Sequence, residues 1–300
     1  MNGWLSRRER GSAHLLKVMI WLCQQRFRWL VNLLTYPIAG YFFLMDQSSR
    51  RASQQYFKRV KGSYRFTDYY RQLLCFSFSL SDRVTITQGE SNQFKVHSQG
   101  REHLRAELKK GKGFILLGSH LGSFEASKLL ARERMGMDVH VVAHFAVSMK
   151  FRQALDAVNP TLIPKFIDPM KPNAIFQMRD VIDQGGILAI LGDRTGIGDK
   201  QLPVDFLGKP ATFPAGPYYL ASILHCPILC FFGLRVDHYS YHTYAIKLAD
   251  RIELKRGQRD DQAQLYAQQY ANILAEKARQ YPYNWFNFYK FWDPANDHER

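Results

Sequence analysis

From about residue 110 onward, short apolar runs alternate with longer amphipathic stretches. FILLGS, VHVVAH, GILAILGD, PILCFFGLRV and TYAIKLAD are six to ten residues long and mostly apolar; they predict strands. Between them, roughly 123–135, 148–158, 171–184 and 214–225 carry helical periodicity, and a last helix is predicted near 260–281, ahead of the aromatic tail YPYNWFNFYKFW. Strands that alternate with helices predict an α/β fold: a largely parallel central sheet covered by helices. Upstream, residues 46–82 and a stretch near Glu102–Lys110 read as helical, separated by the polar, turn-rich QGESNQ.

The N-terminal region has a different texture. Residues 14–45 hold Trp21, Phe27, Trp29, Leu30, Leu33, Leu34 and the run YPIAGYFFLM, with basic residues on both sides. The uncharged part, Trp29 to Met45, is near the lower limit of about 17 residues for a spanning helix, and Pro37 interrupts it. An interfacial or half-embedded pair of helices is expected, since Trp, Tyr and Arg at the margins settle at headgroup level. A helix that merely caps the core is the alternative. The predicted organisation is a membrane-associated helical segment over 1–48 and one α/β domain over 49–300.

Composition narrows the partners. Forty-one Lys and Arg against 26 Asp and Glu leave a formal charge of +15, which favours an acidic partner: anionic lipid, nucleic acid or an acidic carrier protein. Nucleic acid is disfavoured, because no known binding motif accompanies the charge and the aromatics cluster in apolar segments. Cys23, Cys75, Cys226 and Cys230 form no C-x-x-C pair and no zinc-like spacing with His, so reduced, packed thiols are expected. The apolar region after Arg7, Arg8 and Arg10 is broken by Lys17, Arg26 and Arg28, which argues against a cleaved signal peptide and for a domain in the cytoplasm.

The candidate chemistry begins in GSHLGSFEASK, residues 118–128. One continuous helix would separate His120 and Glu125 by about 140° around its axis. A helix that starts between them, with Gly122 at the turn and Ser123 as N-cap, sets His120 at a strand end and Glu125 in the first helical turn, where the two can meet. A carboxylate that fixes the imidazole tautomer lets the other ring nitrogen take a proton from a hydroxyl, which is general-base catalysis. Backbone amides near Gly122 could then face an oxyanion or phosphate. The alternative is a histidine bonded to a carbonyl and a glutamate on a solvated helix face. No G-x-S-x-G, P-loop or G-x-G-x-x-G is present.

Two further segments fall on the same rim of the expected sheet. GILAILGDRTGIGDK ends a strand in Asp193 and Arg194, and ligands bind beyond the carboxyl ends of parallel strands. Arg194 is a candidate for holding a phosphate or carbonyl oxygen; Asp193 would orient it or bind a cation, or the two form a local turn pair. In LPVDFLGKPATFPAGPYYLA, Lys209 and Thr212 precede a helix start that could take an anion.

The order GSHLGSFE (H-x-x-x-x-E), GILAILGD, VDFLGKPATFPAGPYYLA and PILCFFGLR, after a basic, aromatic N-terminal helix, resembles the lipid A biosynthesis late acyltransferases of the lysophospholipid acyltransferase superfamily, over about residues 15–292. The resemblance implies a glycerolipid-acyltransferase-like α/β domain at the cytoplasmic face of the bacterial inner membrane, peripheral or with a single N-terminal anchor. It implies transfer of an acyl group from acyl carrier protein to a hydroxyl of a lipid or glycolipid. His120 would be the base and Glu125 its partner, Asp193 the family's strand-end aspartate, and Phe206 to Thr212 its F-F-G-x-P-A-x-T block. No metal or cofactor is implied beyond the phosphopantetheine of the carrier. Arg194 stands where these enzymes commonly have Gln, the tail WFNFYKFW replaces a W-x-x-R-R-like pattern, and the basic residue between the first two motifs matches only loosely to Arg152 or Lys165. These departures mark a divergent branch, of the kind found with aryl-polyene or other polyketide-like lipids. Two other readings stand beside it: transfer of another carrier-bound group, such as an aminoacyl unit, to a lipid, or a non-catalytic basic membrane-binding protein.

Overall fold

The computed structural model describes residues 18, 21–22, 27–123, 138–143, 165–195 and 199–292. Residues 18 and 21–22 are helical, and the described residues then form three helices ahead of the sheet: α1 (Arg28–Met45), α2 (Gln47–Val60) and α3 (Phe66–Thr87). They are followed by β1 (Lys95–Gln99), α4 (Arg101–Lys109), β2 (Phe114–Gly118), β3 (Val139–Val142), β4 (Lys165–Ile167), α5 (Ala174–Asp183) and β5 (Ile187–Leu191). Then come β6 (Gln201–Asp205), β7 (Pro210–Pro214), α6 (Gly216–Leu224), β8 (Ile228–Arg235), β9 (Ser240–Ala249) and α7 (Arg259–Gln280).

Seven strands form one sheet in the order β1-β9-β8-β2-β5-β3-β4, and among its pairings only β8 with β9 is antiparallel. This is the mostly parallel, helix-associated α/β sheet that the alternation predicts. β6 and β7 form a separate antiparallel hairpin. Two strands escape the pattern: β1, KVHSQ, is a largely exposed edge strand, and β4 has three residues. Polar edge strands carry no apolar alternation to find.

β2 shows why the centre is apolar throughout. All five of its residues are buried, with Ile115 and Leu117 packing with Tyr218, Tyr270 and Leu274 on one face, and Phe114 and Leu116 packing with Leu104 on the other. Such double-sided burial is what a parallel strand requires. α7 lies close because Ala263, Ala267, Ala271 and Ala275 recur every four residues along its buried side.

α1 runs unbroken through Pro37, against the expected interruption. Pro37 and Leu33 both lie on the exposed side, so the ring and the carbonyl it deprives of a donor point away from packed neighbours. Val31, Thr35 and Ala39 face inward, while Trp29, Leu33, Tyr36, Tyr41, Leu44 and Met45 are exposed. Among the described residues, no helix is long and apolar enough to cross a membrane. α1 is tied down at its start by Arg28, whose Nη2 meets Asp82 Oδ1 of α3 at 2.6 Å.

Candidate active site

Sheet register brings the site together. β2 and β5 are parallel neighbours in which Gly118 pairs with Leu191, and Gly192 N–H donates to the Gly118 carbonyl at 2.9 Å. Two residues beyond each of these positions stand His120 and Asp193, so the register alone sets them side by side at the carboxyl ends of the strands. Gly192 makes that approach easy: a Cβ would come within 2.6 Å of Leu117 Cδ1, and that side chain would have to shift. Tyr270 of α7 closes the floor by donating to the Gly118 carbonyl at 2.6 Å.

Asp193 is bonded to His120 twice. Its Oδ1 lies 2.8 Å from Nδ1 of the ring, and its Oδ2 accepts the His120 backbone N–H at 2.9 Å. Oδ2 also accepts from the indole N–H of Trp285 at 3.2 Å. The Asp193 side chain is 1% exposed and that of His120 26%. An ionised carboxylate only accepts, so Nδ1 carries the proton and Nε2 the lone pair.

The charges agree with that state. Burial opposes ionisation of Asp193, but His120 and Arg194, with the hydrogen bonds from His120, hold its carboxyl below the usual range. Burial, reinforced by the Arg194 cation, lowers the His120 pKa against the opposing pull of Asp193. A neutral imidazole at neutral pH is a base ready to accept a proton.

The wall of the site is a C-terminal strap, residues 281–292. Phe286 N–H donates to the His120 carbonyl at 2.9 Å, and Leu121 pairs with Trp285 in an isolated bridge. Arg194 Nη2 donates to the Phe286 carbonyl at 2.9 Å, with the guanidinium 5.3 Å from the Tyr289 ring centroid. Arg194 is thus placed as a cation beside the dyad.

The amides expected to face an anion are used otherwise. Gly122 N–H donates to the Asn284 carbonyl at 2.7 Å and Ser123 N–H to that of Gly233 at 2.9 Å. Gly122 has φ +83°, and a Cβ on it would lie 2.2 Å from the Gly233 carbonyl oxygen, so only glycine lets this segment run against β8. Lys209 stands exposed at the turn of the β6–β7 hairpin, where its carbonyl accepts from Phe206 N–H at 2.9 Å, and Thr212 faces Pro203 across that hairpin. Glu125 and Arg152 lie outside the described residues, and Lys165 pairs with Asp138 at 2.9 Å.

Covalent thiol chemistry finds no support among the described cysteines. Burial pushes Cys75 and Cys226 up to about 12, and Cys230 higher still. Among the described residues, no group of three His, Cys, Asp or Glu side chains is placed to hold a metal ion. Trp285, Asn284 and Phe286 are site residues that the sequence pattern does not reveal. An aromatic tail reads as packing, and nothing in its spacing shows which indole reaches a carboxylate.

No curated protein matches the chain. A family model described as bacterial lipid A biosynthesis acyltransferase matches residues 77–293, a span that contains His120, Asp193, Arg194 and the whole strap. The match covers more than half of the chain and agrees with the order of motifs, and the protein therefore belongs to the bacterial lipid A biosynthesis acyltransferases, a family that transfers acyl groups to lipid.

Proposed function

We propose that the protein moves a fatty or polyketide-like acyl group from an acyl carrier protein thioester to a hydroxyl of a lipid or glycolipid at the cytoplasmic face of the inner membrane. The observation that carries this reading is the buried Asp193 carboxylate on Nδ1 of a partly open His120, which leaves Nε2 basic. Nε2 takes the acceptor's hydroxyl proton as the oxygen attacks the thioester carbonyl. The imidazolium that forms is held by Asp193. When the tetrahedral intermediate collapses, the carbon–sulfur bond breaks and the same proton passes from Nε2 to the departing pantetheine sulfur. The developing oxyanion is offered the positive charge of Arg194; donors in this role are typically worth about 3 to 4 kcal/mol.

The outer surface suits both substrates. α1 exposes an apolar stripe through Trp29, Leu33, Tyr36 and Leu44, and Phe66 at the start of α3 is exposed near it, its ring 6.4 Å from that of Phe43. α2 contains Arg50, Arg51, Lys58 and Arg59 and no acidic residue. An apolar helix face beside cations fits the headgroup region of an anionic bilayer, with each basic residue near the surface worth about 1 kcal/mol. The same charge attracts an acidic carrier protein.

The test is an acyl-transfer assay with labelled acyl carrier protein and lipid extract presented on anionic vesicles. Wild type should transfer label to lipid, and His120→Ala should lose at least about 10³-fold in turnover; Glu125→Ala tests the carboxylate that the motif spacing names. Absence of transfer by wild type, or undiminished transfer by His120→Ala, overturns the assignment. Mass spectrometry of the product separates acyl from aminoacyl transfer.

A further inference from the structure

We infer that Trp285 is a positioning residue for the His120–Asp193 dyad: its indole N–H fixes the Asp193 carboxylate so that Oδ1 meets Nδ1 of the imidazole. The inference rests on reading His120 as the base. A carboxyl group turns easily about its last side-chain bond, because that torsion is broad and roughly two-fold. Asp193 would therefore present either oxygen, or neither, without further restraint. Two donors converge on Oδ2, the His120 backbone N–H at 2.9 Å and Trp285 Nε1 at 3.2 Å, and this leaves Oδ1 for the ring.

The indole is itself immobilised. Trp285 is fully buried, with ring centroids of Tyr56, Phe291, Phe206 and Trp292 at 4.8, 5.1, 5.4 and 5.8 Å. Its carbonyl accepts from Gln72 Nε2 at 2.5 Å, and Gln72 Oε1 accepts from Ser53 Oγ at 2.6 Å. Consecutive strap residues are anchored as well. Tyr283 OH donates to Asp68 at 3.0 Å, Asn284 brackets the Arg235 backbone at 2.8 and 3.0 Å, and Phe286 N–H holds the His120 carbonyl. A buried tryptophan needs some acceptor for its N–H. Here the acceptor is the carboxylate that orients the base, and the ring that donates is the most deeply buried of the strap.

Around His120 the charged and titratable neighbours are Asp193, Arg194 and, against Arg194, Tyr289; Tyr270 lies on the Asp193 side. Removing the indole donor keeps these groups but takes one of the two restraints from Asp193. The carboxylate is then freer to turn, its Oδ1 bond to Nδ1 weakens, and the attraction that favours the imidazolium is reduced.

Trp285→Phe keeps an aromatic ring and deletes the N–H. Replacement of the indole by benzothiophene keeps the shape as well and serves if phenylalanine destabilises the fold. Both are followed by NMR titration of the His120 ring, assigned by loss of its signal in His120→Gln, and by steady-state transfer kinetics. The expected result is a His120 titration moved to lower pH, with kcat about tenfold lower and KM unchanged, the size expected for losing one hydrogen bond to a charged group. A His120 titration and kcat equal to wild type in the benzothiophene variant overturn the inference. So does a loss confined to melting temperature. The NMR arm does not depend on turnover: a shifted titration in a protein that transfers no acyl group keeps the positioning role and rejects the proposed function instead.

Discussion

Two buried aspartates show what separates a structural carboxylate from a working one. Asp82 is 1% exposed and is surrounded by donors: Arg28 Nη2 at 2.6 Å, Arg235 Nε at 2.9 Å and Tyr241 OH at 2.7 Å. Burial pushes its carboxyl up while the two guanidinium groups pull it down. Every partner of Asp82 is a fixed donor of the scaffold, and the cluster joins α1, α3, β8 and β9. Asp193 is equally buried, but one of its partners is a histidine whose other nitrogen is left basic and whose side chain is partly open. Burial and strong hydrogen bonds are common to both. What differs is that the second carboxylate passes its charge to a group that can still gain a proton.

The largest contrast is expected from matched substitutions. Asp193→Asn should leave a folded protein with acyl transfer reduced by about 10³- to 10⁴-fold, because an amide in that place no longer dictates the tautomer. Kinetics and denaturant melts on the same preparation read both quantities. Asp82→Asn should do the reverse. It leaves the largely buried cations of Arg28 and Arg235 without their counter-charge, for a loss of up to about 3 to 5 kcal/mol in unfolding free energy, while turnover per folded molecule stays near wild type. Equal effects of the two substitutions on turnover would erase the distinction.

A smaller effect concerns pH. His120 must be neutral to act as base, and its pKa is lowered from 6.5, chiefly by burial. Activity should therefore hold through pH 6.5 and fall only as pH drops through the lowered value, giving an acid limb of kcat/KM below 6.5. A limb above that value would mean that the Asp193 attraction outweighs burial and Arg194.

The order of helices and strands was legible because burial is written locally. FILLG and ILAIL are short and apolar on both faces, as interior strands are, and the helical periodicity near 260–281 marks α7. The polar edge strand β1 was not legible, since an exposed edge has no apolar code. His120 could be placed at a strand end from Gly122 and Ser123 alone. Its Nδ1 partner could not. The sequence offers Glu125, five residues away, whereas the carboxylate found on Nδ1 is 73 residues away and the indole behind it 92 from that aspartate.

The chain by itself determined a parallel α/β fold, a histidine at the rim of its sheet, an excess of positive charge and an apolar, Trp-bearing N-terminal helix. These follow from composition and periodicity, which each segment carries independently of the others. Only the tertiary structure decided that β2 lies beside β5 with Gly118 opposite Leu191, and that the aromatic tail folds back to bond His120 and Asp193. Strand order and register depend on the packing of all segments at once. A hydrogen bond between two side chains needs both to be placed within a few tenths of an ångström, which no local pattern can specify.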